Sequence, residues 1–163
     1  MRSILFGAVA LCALFPAIAW SAEAKDEDNV SMNDVPVEVR AAAQAAANGT
    51  KLDKVDLDLD DGTASYELSG KGADGKMIEV DVLHDGQIEE VEQEITMEAV
   101  PEAVKKLMTK HMPNFKADKV EKSTRQNFEV YYEFDGQNGD GMELDVEIRS
   151  DGKRIIIQDD AAA

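Results

Sequence analysis

The period of the hydrophobic pattern changes several times along the chain, and each change marks an element. Ile4 to Ala19 form an almost unbroken apolar run. From Val35 the apolar positions take helical spacing: Val39 and the alanines Ala41 to Ala43 and Ala45 to Ala47 predict a helix between Pro36 and an Asn48-Gly49 stop. Period-two alternation follows. Val55, Leu57 and Leu59 face one side of a strand and Asp56, Asp58 and Asp60 the other, Asp61-Gly62 gives a two-residue turn, and Ala64, Tyr66 and Leu68 return on the apolar side. Ile78, Val80 and Val82 predict a third strand, and Asp85-Gly86 is expected to turn the chain likewise into a fourth containing Val91.

The same order recurs further on. Val100-Pro101 matches Val35-Pro36 at an offset of 65. Tyr132-Glu133, Asp140-Gly141, Val146 and Asp151-Gly152 match Tyr66-Glu67, Asp74-Gly75, Val80 and Asp85-Gly86 at an offset of 66. A second helix is expected between Pro101 and Pro113-Asn114, with Val104, Leu107, Met108 and Met112 inward. Strands follow at Val130 to Phe134, Leu144 to Ile148 and Ile155 to Ile157. The expected fold class is α+β: two tandem repeats, residues 35–95 and 96–160, each one helix on an antiparallel sheet of about four strands.

The leading apolar run follows Arg2 and ends in small residues, the three-part pattern of a secretory signal peptide over residues 1–21, cut after Ala19 or Ser21. The run is short of the ~20 residues a spanning helix needs. Cys12 would leave with the signal, so the mature chain would have no cysteine. Residues 22–34 read as an acidic disordered leader. These features predict an exported protein, periplasmic or secreted, with no stable membrane anchor after cleavage.

Charge then narrows the partners. The 163 residues carry 34 acidic and 17 basic side chains, a net charge of −17. That balance argues against nucleic acid and anionic membranes and favours cations or basic proteins. An apolar content of 44% argues against wholesale disorder. Enzymatic signals are missing: there is no Gly-x-Ser-x-Gly and no Gly-rich phosphate loop, and the only histidines, His84 and His111, fall in a turn and in a last helical turn. The chain is not expected to be an enzyme.

The acids are unevenly spread, with five bases against fifteen acids in residues 35–95 and ten against fourteen in 96–160. Two-residue turns would set Asp56 opposite Glu67, Asp58 opposite Ser65, Asp81 opposite Glu90 and Glu79 opposite Glu92, all away from Leu57, Tyr66 and Val80. Facing like charges destabilise a sheet, and a bound cation would offset that. Hard oxygen-preferring ions, Ca²⁺ or a trivalent lanthanide, suit such ligands. The expected metal ligands are Asp56, Asp58, Glu67, Glu79, Asp81, Glu90 and Glu92. Glu133, Asp145 and Glu147 repeat the pattern in a weaker second site, where Ile156 and Gln158 replace the fourth-strand acids. Two other readings stay open. The acids could serve only as a solvated face, or the chain could recognise a basic periplasmic protein through Tyr131, expected outward beside Glu129 and Glu133.

The order of Val-Pro helix, Tyr-Glu strand and Asp-Gly turns, behind a signal peptide, resembles the PepSY-like domains. It is similar in particular to the group related in fold to beta-lactamase inhibitory protein. The resemblance spans about residues 35–160 and implies an exported, non-catalytic module, in some relatives acting on peptidases or other enzymes. The lack of mature cysteines and the scarcity of aromatics depart from the inhibitor.

Overall fold

A computed structural model describes residues 30–58 and 64–159. The expected signal peptide with Cys12, the start of the leader, Asp60 and the Asp61-Gly62 turn lie outside the described residues, as does the Asp58 side chain. The elements are α1 (Val37–Ala46), β1 (Lys54–Asp58), β2 (Ser65–Lys71), β3 (Met77–Leu83), β4 (Ile88–Glu94), a 3-10 turn (Met97–Ala99), α2 (Glu102–His111), β5 (Lys116–Arg125), β6 (Val130–Gln137), β7 (Glu143–Arg149) and β8 (Ile155–Asp159). Both helices follow their prolines directly, and Asn48 (φ 51°) and Gly49 (φ 86°) stop the first in left-handed conformations.

The eight strands form one antiparallel sheet in chain order, β1 to β8. This extends the expectation of a sheet of about four strands per helix: β4 pairs with β5, so both halves share a single sheet. Val91 pairs with Thr124, and Thr124 with Val130, so the apolar side of the first half continues into the apolar side of the second. Both helices therefore cover the same face. From α1, Val39 and Ala43 pack on Leu68, Val80 and Val82 of the sheet; from α2, Val104 packs on Phe134, Val146 and Ile148, all almost wholly buried. Leu107, Met108 and Met112 pack into the second cluster, as their spacing predicts.

Three local expectations are corrected. Residues 30–34, read as part of a disordered leader, are held: Val30 and Met32 pack against the first core, and the Arg40 guanidinium donates to the carbonyls of Met32 and Val35 at 2.9 and 2.8 Å. The turn at Asp85-Gly86 is longer than two residues, with Leu83 N bonding Gln87 O and Gly86 at φ 85°. A bulge beside Val82 then absorbs the extra residue and restores the expected register at Asp81 and Glu90. Tyr131 is corrected below.

Gly70 and Gly136 occupy equivalent places in the two halves. A Cβ on Gly70 would collide with the Lys51 carbonyl, and one on Gly136 with the Lys116 carbonyl. Each glycine lets the segment after a helix cross closely over the second strand that follows.

Candidate functional site

Strand alternation puts the acids on the face that no helix covers. The expected pairs are present: Asp56 with Glu67, Asp58 with Ser65, Glu79 with Glu92, Asp81 with Glu90. The second half adds Glu121 with Glu133, Glu133 with Glu147 and Asp135 with Asp145, while Ile156 and Gln158 face Glu147 and Asp145. A band of carboxylates thus crosses the sheet from β1 to β7.

Within it, two triads converge. Glu67, Glu79 and Asp81 each bring a ligand oxygen within 4.8 Å of the others, and so do Glu90, Glu92 and Glu133. The second triad draws on both halves of the chain. Asp56 belongs to neither and is exposed. Asp145 is half-buried outside them, and Glu147 is buried and ion-paired.

Burial and crowding together raise several carboxyls on this face. Burial first, then the neighbouring Glu67 and Asp81 carboxylates, push Glu79 up to about 8, and a hydrogen bond to Glu67 uses the retained proton. Glu92 is pushed up to about 10, by burial and then by its hydrogen bond and charge interaction with Glu133. Glu133 and Glu121 are raised too, burial being the largest cause for each.

The second triad has an internal cation that sequence reasoning missed. Arg125 lies at the end of β5, and its guanidinium reaches Glu90 at 3.1 Å, Glu133 at 3.3 Å and Glu147 at 2.7 Å. The Ser123 hydroxyl also donates to Glu90. Register could have found Arg125, since it pairs directly with Glu90, but β5 itself carries too little apolar alternation to be placed.

Tyr131 corrects the expectation of an exposed anchor. It does point to the acid face, but it is only 1% exposed. The Arg125 guanidinium stacks 4.3 Å from its ring centroid, and Arg154 donates to its hydroxyl at 3.2 Å. Glu129, expected beside it, pairs with Arg149 at 3.2 Å. Among the described residues the exposed aromatic is instead Phe128, at the tip of the β5–β6 hairpin, 87% exposed with φ 62°. His84 and His111 are both exposed.

One antiparallel sheet with two helices on one face and acids on the other defines an α+β module built around an uncovered polar sheet surface. The chain belongs to the PepSY-like family, described as "beta-lactamase-inhibitor-like, PepSY-like", whose profile matches residues 71–156. A second profile, "Peptidase propeptide and YPEB domain", matches residues 36–92. No curated protein sequence matches the chain. Among solved structures it is similar to a Bacteroides eggerthii protein provisionally described as periplasmic (13% identity, TM-score 0.63, 79% of this chain and 91% of that one). It is also similar to a Bacteroides uniformis protein (16%, 0.59, 76% and 88%) and to a BLIP-like protein of Bacteroides fragilis (15%, 0.54, 76% and 84%). These likenesses define the fold. No helix among the described residues is long and apolar enough to cross a membrane.

Proposed function

We propose that the chain is an exported, non-enzymatic binding protein that takes up a hard cation, Ca²⁺ or a trivalent lanthanide, on its acid face. The observation that carries this reading is the convergence of Glu67, Glu79 and Asp81 within 4.8 Å, where burial and the two neighbouring carboxylates push Glu79 up to about 8. Three carboxylates at that spacing repel one another unless a proton or a cation lies among them, and Ca²⁺ accepts several carboxylate oxygens at once. The Glu90, Glu92 and Glu133 triad is the weaker candidate, because Arg125 already supplies positive charge there.

Export is supported by the signal-like start of the chain and by the periplasmic description of the Bacteroides eggerthii neighbour. Descent from two tandem copies is supported by Gly70 and Gly136, which stand 66 residues apart and meet equivalent carbonyls. Thermal unfolding with metal and with chelator tests the cation reading. A metal-dependent rise is expected in the wild type and a lost or much smaller one in Glu67→Gln/Asp81→Asn. No rise, or an equal rise in that variant, rejects it.

A second reading, a module that recognises a protein such as a peptidase or other enzyme, is favoured by Phe128. An exposed aromatic on a hairpin tip is a ready anchor, and the family description and the BLIP-like neighbour point the same way. A metal-independent partner from periplasmic extract that is lost on Phe128→Ala would favour it.

A further inference from the structure

The sheet ends in two unequal edges. At β1 the outer strand alternates charge with burial, Lys54 and Asp56 exposed around the buried Val55, which discourages pairing with another chain. Over β8 and the two residues that lead into it the sequence is Lys153-Arg154-Ile155-Ile156-Ile157-Gln158-Asp159: basic at the start, three isoleucines in the middle, acidic at the end. Its centre has no proline, no charge and no bulge, and Ile157 is 45% exposed. Among the described residues β8 has one neighbour, β7.

We propose that β8 is the interface between two copies of this chain, pairing antiparallel with itself about Ile156. Backbone parity permits that register. Arg149 N donates to Arg154 O at 3.1 Å, continuing the ladder in which Ile148 faces Ile155. Arg154, Ile156 and Gln158 therefore turn their backbone groups toward β7, and Ile155, Ile157 and Asp159 turn theirs outward.

With the twofold axis at Ile156, Ile155 of one copy faces Ile157 of the other as a hydrogen-bonded pair. Ile156 faces its own counterpart across a non-hydrogen-bonded site, and Lys153 of one copy faces Asp159 of the other. A strand that runs from basic to acidic is complementary to itself only when antiparallel, so the charges favour a second copy over an unrelated strand. An axis perpendicular to the sheet would join the two acid faces into one surface. The interface does not depend on cation binding.

Cross-linking and sedimentation test this in the full chain carrying Cys12→Ser. At a non-hydrogen-bonded site the Cα atoms lie about 4.5 Å apart, within disulfide reach. Ile156→Cys is therefore expected to form a disulfide dimer under mild oxidation at least about tenfold faster than Gln158→Cys, which would face Arg154. Without added cysteines, sedimentation at ~0.15 M salt, where self-repulsion is screened, is expected to show a dimer. Lys153→Asp should weaken that dimer about tenfold, and Lys153→Asp/Asp159→Lys should restore it. Circular dichroism confirms that each variant is folded. A protein monomeric at all concentrations up to the millimolar range, equal cross-linking at positions 156 and 158, or no rescue by the charge swap would overturn the proposal.

Discussion

Glu92 on β4 and Glu133 on β6 share a hydrogen bond although β5 runs between their strands. Ser123, the small residue opposite Glu92 on that strand, is wholly buried between them. This contact ties the two halves of the chain together, and it exists only while one proton is shared.

That sharing gives stability a definite pH dependence. A carboxyl whose value is raised on folding holds its proton more tightly in the folded chain than in the unfolded one. Its contribution is fully present below the ordinary value of 4.5 and is lost as pH climbs toward about 8 for Glu79 and about 10 for Glu92. Melting temperature is therefore expected to fall by several degrees between about pH 5.5 and 8.5 in chelator. Glu92→Gln, which keeps a neutral hydrogen-bonding group, should flatten that slope and raise stability at the alkaline end. A melting temperature that climbs across this range would contradict the assignment.

Arg125 makes a separate prediction. Arg125→Ala would leave Glu90, Glu133 and Glu147 facing one another without their shared cation and would uncover Tyr131. A loss of about 1–3 kcal/mol in chemical denaturation is expected, reduced from the fully buried case because the guanidinium is 31% exposed. The same variant should gain a second equivalent of bound Ca²⁺ or Tb³⁺, since its second triad then loses the guanidinium that neutralises Glu90 and Glu133. Loss of stability without any change in stoichiometry would mean that Arg125 does not exclude a cation.

Phe128 carries backbone strain without burial. It sits at φ 62° in a turn held by Asn127, whose side-chain oxygen accepts from Glu129 N at 2.9 Å. Phe128→Gly should stabilise the fold by about 0.5–1 kcal/mol, because glycine enters this region without steric cost and little packing is lost. Denaturation midpoints check it, and a destabilised variant would show that the ring packs in solution.

Much of this architecture was legible because the alternation is clean. Val55, Val80 and Val146 mark the helix-covered face, and the same period placed Glu67, Glu79, Asp81, Glu90 and Glu92 together on the other. The joining of the halves was not legible. Strand β5 reads Lys-Ala-Asp-Lys-Val-Glu-Lys-Ser-Thr-Arg, and its place in the sheet is fixed by pairing on both sides rather than by an apolar stripe of its own. Tyr131 was misjudged for a related reason. Alternation gives the face a side chain points to, but the arginines that cover it come from β5 and from just before β8, far apart in sequence.

The central claim is that a cation displaces the proton among Glu67, Glu79 and Asp81. Isothermal titration of Ca²⁺ or Tb³⁺ at about pH 7, repeated in buffers of different ionisation enthalpy, measures this directly, because metal binding to a protonated carboxyl releases its proton. Saturable binding is expected with about one proton released per ion, little release above about pH 9, and neither tight binding nor release in Glu79→Gln. Absence of saturable binding, or binding whose heat is the same in every buffer, would contradict the account.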